Sequence, residues 1–152
     1  MISFERSSVI PLGANDTFDL ALDIDAHMGS MEAFGERAID GVTTGIIGLD
    51  ETVTWRARHF GITWTMTTTI SELDRPNRFV DRQRRGPFEE FVHEHTFVPV
   101  DGGTQVTDHV RFTAPLGPLG WLAEQLVLKR YIPELIDARN AFMIAESAQR
   151  GR

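Results

Sequence analysis

From Pro115 onward the apolar residues of this chain change period. Leu119, Leu122, Leu126, Ile132, Leu135, Ile136, Phe142 and Met143 recur at the spacing of one helix face. Most of what precedes them reads as strand. The clearest case is Ile62, Trp64, Met66, Thr68 and Ile70 on one set of alternate positions, with Thr63, Thr65, Thr67 and Thr69 on the other. That pattern is an antiparallel strand with one face in solvent. A long amphipathic helix after a strand-rich chain can bury its stripe against a sheet that wraps around it. Such an arrangement encloses a pocket.

The preceding segments supply the sheet. Ser3–Leu12 reads as a first strand. Asn15 or Asp16 is placed as the N-cap of a short helix over Asp16–Leu22, and Asp25 as the cap of a second short helix through Met31. Six further strands are expected over Arg37–Thr44, Glu51–Phe60, Ile62–Glu72, Arg78–Arg84, Phe88–Val98 and Thr104–Thr113. For the last hairpin, a two-residue Gly102-Gly103 turn pairs Asp101 with Thr104. It sets Phe97 against Asp108, His95 against Val110 and His93 against Phe112. A three-residue loop would set His95 against His109. Only the first register keeps Phe91, Phe97, Val106, Val110 and Phe112 on one face, and it turns His93 and His95 toward the helix. A helix from Leu119 to Gln149 would be about 45 Å long. Pro133 lacks an N–H and clashes with the preceding turn, so a kink near Arg130–Pro133 or a restart at Pro133 is expected. Ala148–Arg152 reads as a frayed end.

Composition narrows the function classes. The 152 residues read as a single domain, 1–152. A net charge of −7 disfavours binding to nucleic acid. Without cysteine there is no disulfide, thiolate nucleophile or zinc-thiolate site, which fits a cytoplasmic location. Met1–Arg6 lacks the basic-then-apolar pattern of a signal peptide, and no run approaches the ~20 apolar residues of a membrane span, so no stable membrane insertion is expected.

Several stretches together resemble a known family. They are Val53-Thr54-Trp55-Arg56-Ala57-Arg58-His59-Phe60-Gly61, Arg78-Phe79-Val80-Asp81, Gly86-Pro87-Phe88 leading to His93-Glu94-His95-Thr96-Phe97, and Pro115-Leu116-Gly117-Pro118-Leu119-Gly120. Chain and element order are similar to the START-like or SRPBCC superfamily, in particular its polyketide cyclase/dehydrase-like and bacterial ligand-binding members. The resemblance implies an α+β helix-grip fold: a seven-stranded antiparallel sheet wrapped around a long C-terminal helix, with two short helices after strand 1. It also implies a cavity between sheet and helix for a lipid-like, polyketide-like or aromatic molecule. Pro133 departs from the uninterrupted final helix of that pattern.

The inferred concave face carries Val53, Trp55, Ala57 and His59, then Trp64, Met66 and Ile70, then Phe79, Asp81 and Gln83, then Phe91, His93, His95 and Phe97, and finally Asp108, Val110 and Phe112. Ligand-wall candidates are Trp55, Trp64, Met66, Phe79, Phe91, Phe97, Val110 and Phe112, joined by Leu122 and Leu126 of the helix and by His59, His93 and His95 as polar anchors. The same aromatic residues also serve as plain core. Polar groups on an apolar face need partners. A closed His–Asp network is one reading of His59, Asp81, His93, His95 and Asp108; a ligand anchor or acid–base pair is the other. Catalytic candidates are His59, His95, Asp81 and Asp108. His93-x-His95 has metal-ligand spacing, but needs His59 or Asp108 as a third ligand and has no support from the family. No metal or cofactor is expected. Arg56, Arg58, Arg82, Arg84 and Arg85 alternate with the inward set, and Glu89, Glu90 and Glu94 are expected to neutralise them. The leading expectation is binding of a hydrophobic or aromatic small molecule. The alternatives are a cyclase or dehydratase using a concave-face His, and a protein-interaction domain with an exposed apolar patch. A homodimer is compatible with each.

Overall fold

The computed structural model describes residues 1–150. The order is β1 (Ile2–Ile10), α1 (Ala14–Leu22), α2 (Ile24–Ser30), a 3-10 turn (Glu32–Phe34), β2 (Arg37–Gly41), β3 (Thr52–His59), β4 (Ile62–Asp74), β5 (Arg78–Arg85), β6 (Glu90–Val100) and β7 (Gly103–Thr113). There follow α3 (Pro118–Ala123), a π-helical turn (Glu124–Leu128) and α4 (Lys129–Arg150). The seven strands form one antiparallel sheet in the order β1-β7-β6-β5-β4-β3-β2. This is the helix-grip architecture. No helix among the described residues is long and apolar enough to cross a membrane.

Alternation places the core. Phe79, Phe97, Val106 and Ile70 point inward and meet Phe18, Leu20 and Leu22 of α1, Ile24 of α2 and Met143 of α4. Val110 and Phe112 meet Ile132 and Ile136, an i, i+4 pair on α4. Burying each such side chain stabilises the fold by roughly 1.5–3 kcal/mol. Phe18 is ringed by Phe79 and Phe97 at centroid distances of 5.5 and 5.0 Å. These aromatic pairs leave no room for a guest under α1.

Local details differ from expectation in physically readable ways. The first helix starts at Ala14, with Gly13 rather than Asn15 or Asp16 as N-cap; the Thr17 hydroxyl donates back to the Gly13 carbonyl at 2.8 Å. The second helix is capped by Asp23, not Asp25. Asp23 Oδ1 accepts from the amides of Asp25 and Ala26, while the Asp25 carboxylate accepts from Gly45 N at 3.0 Å. The weak strand β2 ends at Gly41 and not at Thr44.

The β6–β7 register is two residues away from the expected one. Phe97 faces Val106, His95 faces Asp108, His93 faces Val110 and Phe91 faces Phe112. The turn is Asp101-Gly102, and Gly103 already pairs with Val100. A slip of two preserves facing, so the inward assignment of both histidines stands. Gly103 has a different duty from turning: a Cβ there would sit 2.1 Å from the Ile10 carbonyl oxygen, so only glycine lets β1 close on β7.

The final helix is irregular before Pro133, not at it. The π-turn over Glu124–Leu128 ends one turn upstream of Pro133, and α4 runs unbroken through the proline. The carbonyl four residues before Pro133 is that of Lys129, at the junction of π-turn and helix. Widening the preceding turn gives that carbonyl and the proline ring room. The expected frayed tail is helical as far as Arg150; Gly151 and Arg152 lie outside the described residues.

Candidate functional site

The polar groups of the concave face fall into two sets. The first is closed. Asp81 lies opposite His93 across β5–β6, and His95 opposite Asp108 across β6–β7. The bonds run diagonally: His93 Nε2 donates to Asp108 Oδ1 at 2.8 Å and His95 Nε2 to Asp81 Oδ2 at 2.7 Å. The imidazoles stack at 3.7 Å, and Phe79 stacks on His95 at 4.0 Å. From α4, Arg139 donates to Asp108 Oδ1 at 2.5 Å and Asn140 to Asp108 Oδ2 at 3.0 Å. His93, His95, Asp108, Arg139 and Asn140 are all buried; Asp81 retains 22% side-chain exposure. The cluster pins the long helix to three adjacent strands.

Its electrostatics fit that role. Burial pushes His93 down to about 4, with neighbouring His95 acting in the same direction and Asp108 opposing, so His93 is a neutral donor at neutral pH. Burial alone would raise Asp108, but the Arg139 guanidinium, the bond from His93 and the His95 imidazole beside it hold it well below the usual carboxylate range. Asp81 is likewise lowered: burial is the largest single influence and opposes, and the His95 bond together with the neighbouring His93, His95 and His27 outweighs it.

Donor atoms of Asp81, His93 and His95 lie within 4.8 Å of one another, a different third ligand from the His59 or Asp108 considered from spacing. Both Nε2 atoms are already held by carboxylates, and a guanidinium sits on Asp108. A cation would have to break those bonds beside a fixed positive charge, so the set is poorly matched to a metal.

The second set is open. His59 ends β3 and its Nδ1 lies 2.6 Å from the hydroxyl of Tyr131, in the first turn of α4. Phe34 stacks on His59 at 4.9 Å and Phe60 meets Tyr131 edge-on at 4.5 Å. Burial lowers the His59 pKa against the raising influence of Glu36, and burial raises that of Tyr131, so both are neutral near pH 7. Trp64 Nε1 donates to the His59 carbonyl at 3.0 Å. From there half-buried Met66, Gln83, Phe88 and Phe91 continue the face. The Gln83 amide clamps the β5–β6 loop by bonding both the carbonyl and the amide of Phe88. Phe88 and Phe91 meet at 5.1 Å and pack onto Phe112. The result is an aromatic floor with one hydrogen-bonded polar pair at its edge.

The expected site residues therefore separate. His59, Trp64, Met66 and Phe91 gather at the open end. His93, His95, Asp81 and Asp108 sit in the closed network. Phe79, Phe97, Val110 and Phe112 are core, and Trp55 is half-buried against His27 at 4.5 Å. Leu122 and Leu126, expected to line a covered pocket, are exposed. A half-open pocket beside Arg139 and Met143 holds only about 10 Å³. A cleft of about 200 Å³ lies on the outer face of the sheet instead, between Arg78, Arg82, Val92, Glu94 and Arg111. Glu94 and Glu90 pair with Arg78 and Arg111, not with the arginines they were expected to neutralise.

Tyr131, Phe34, Arg139 and Asn140 were missed. Ile136 and Met143 bracket Arg139 and Asn140 at helical spacing, which puts two polar residues on the buried stripe and was readable from the sequence. Tyr131 is the chain's single tyrosine, but nothing local pairs it with His59.

A family model described as polyketide cyclase / dehydrase and lipid transport matches residues 1–143. Among solved structures, Zhui aromatase/cyclase from a Streptomyces species aligns with a TM-score of 0.75 at 15% identity, covering 99% of this chain and 96% of that one. TTHA0849 from Thermus thermophilus aligns with a TM-score of 0.74 at 18% identity, covering 96% and 99%. A START superfamily protein from Mycobacterium smegmatis gives 0.72 at 10% identity, covering 97% of each chain. At such identities the likeness is one of fold. No curated protein matches the chain.

Proposed function

The chain belongs to the polyketide cyclase / dehydrase and lipid transport family, and on that premise we propose that it binds a hydrophobic or aromatic small molecule against the open half of its concave face. The carrying observation is the His59–Tyr131 pair, an inward hydrogen-bonded couple placed at the edge of an aromatic floor and not consumed by the buried network. Trp64, Met66, Phe88 and Phe91 offer apolar contact, and the pair offers one donor and one acceptor to orient a carbonyl or hydroxyl. A titration of tryptophan fluorescence with a panel of fatty acids, flavonoids and polyketide-like aromatics tests this. Saturable quenching that weakens about fivefold in Tyr131→Phe supports it, since one hydrogen bond contributes about 1 kcal/mol. Absence of saturable quenching by every member sinks it.

A second reading makes the same pair catalytic. His59 is neutral and can accept a proton from an acidic carbon, and Tyr131 can donate to a departing oxygen, as a dehydratase requires. Turnover lost in His59→Ala with ligand affinity retained would favour this reading. His95 is a poor base by comparison, because it is buried and its Nε2 is bonded to Asp81.

A further inference from the structure

We propose that the end of the molecule carrying the β3–β4 turn and α3 docks on anionic phospholipid bilayers. Large apolar side chains are exposed there on three separate segments: Phe60 (60%) and Ile62 at the β3–β4 turn, Leu116 (76%) in the β7–α3 loop, and Trp121, Leu122 and Leu126 (70%) on α3 and the π-turn. The contact of Phe60 with Tyr131 brings the turn against the start of α4, directly after the π-turn. Phe60 and Leu116 are also two of the three described non-glycine residues at positive φ, 56° and 73°. Side chains other than glycine rarely occupy that backbone region, and it concentrates at functional loops.

Charge completes the pattern. Arg58, Arg84, Arg85, Lys129 and Arg130 lie at this end, all exposed and none ion-paired among the described residues. Of the acids in the same loops, Glu90 is bonded to Arg111 and Glu124 is buried against Ala114 N, which leaves Glu89, with Glu134 one turn into α4. A chain of net charge −7 would be repelled by an anionic surface unless its cations were segregated, and here they are. The apolar groups are exposed on two turns and on the helical stretch of α3 and the π-turn. A protein partner needs packed pockets for its anchors. A bilayer interface needs only apolar protrusions flanked by cations that reach the phosphates. The proposal stands apart from the ligand reading: a protein that binds its ligand from water would leave it untested by that result, and the reverse also holds.

Co-sedimentation of the full chain with phosphatidylcholine vesicles, with and without phosphatidylglycerol, tests it. Binding is expected only with phosphatidylglycerol, falling as salt is raised. Arg84→Gln/Arg85→Gln should lower the partition coefficient about thirtyfold, from the usual contribution of each basic residue near such a surface. Ile62→Ser/Trp121→Ser should lower it about tenfold or more. Both pairs are exposed, so circular dichroism should show an unchanged fold; Leu126→Ser serves if the second pair fails to fold. Three results would overturn the proposal: no binding to phosphatidylglycerol vesicles, binding equal in wild type and variants, or self-association by sedimentation velocity that Ile62→Ser/Trp121→Ser abolishes.

Discussion

Asp108 is fully buried and receives bonds from His93, Arg139 and Asn140. Asp108→Asn keeps the shape but leaves the Arg139 guanidinium buried without a counter-charge, a change that typically costs about 3–5 kcal/mol. Urea unfolding should show a loss of that size with little change in the slope of the transition. His93 sets the acid limit. Its folded-state pKa, about 4, lies below the ordinary 6.5, so the unfolded chain binds more protons between those values. Stability is full above pH 6.5 and falls as pH drops toward 4, by roughly 3 kcal/mol in all. Below the ordinary carboxylate value of 3.8, the lowered Asp81 and Asp108 add a further loss as they protonate. His93→Gln keeps a donor toward Asp108 and removes the titration. Its unfolding midpoint should be flatter than wild type between pH 6.5 and 4; an identical slope would exclude His93 as the source.

At the scale of elements, α3 depends on a close approach. A Cβ on Gly120 would lie 1.9 Å from the Pro115 carbonyl oxygen and 2.8 Å from that of Ala114. Gly120→Ala should therefore displace α3 from β7, destabilising by more than the ~1 kcal/mol that alanine normally gains over glycine in a helix. Loss of the buried Glu124 bond to Ala114 N, seen as faster exchange of that amide, would report the displacement. Elements of this kind were the most legible part of the chain. The alternation of Ile62–Ile70 and the helical spacing after Leu119 hold as strand and helix, but each stripe is buried only in part: Thr68, Ile70, Ile132, Ile136 and Met143 are buried, while Ile62, Trp64, Leu119, Leu122 and Leu126 are exposed. Positions decided by one backbone atom were not legible. Gly103 looked like a turn glycine, yet its requirement comes from the Ile10 carbonyl on a strand far away in sequence. Pro133 was read as a kink, yet the adjustment sits in the turn before it.

Across the whole molecule the grip is unequal. One half is sealed by α1, α2 and the Asp108 network; the other exposes an aromatic floor and the α3–π segment. Amides of β6 and β7 should exchange only on global unfolding, and those of α3 and the π-turn by local opening, which native-state hydrogen exchange resolves. The inward facing of His59, His93, His95, Asp81 and Asp108 was readable from alternation alone. Their division into closed and open sets was not, because Arg139, Asn140 and Tyr131 arrive from a helix whose phase the sequence does not tie to the sheet.

That phase is where the π-turn matters beyond local geometry. It holds a spare residue between two helical stretches, so the rotational setting of α3 is uncoupled from that of α4. Deleting one residue within 124–128 would turn α3 by about 100° around the axis. Tyr131, Ile136 and Arg139 would keep their places. The exposed face of α3 can thus be re-aimed in single-residue steps while the foundation stays untouched, giving one scaffold several differently oriented ends.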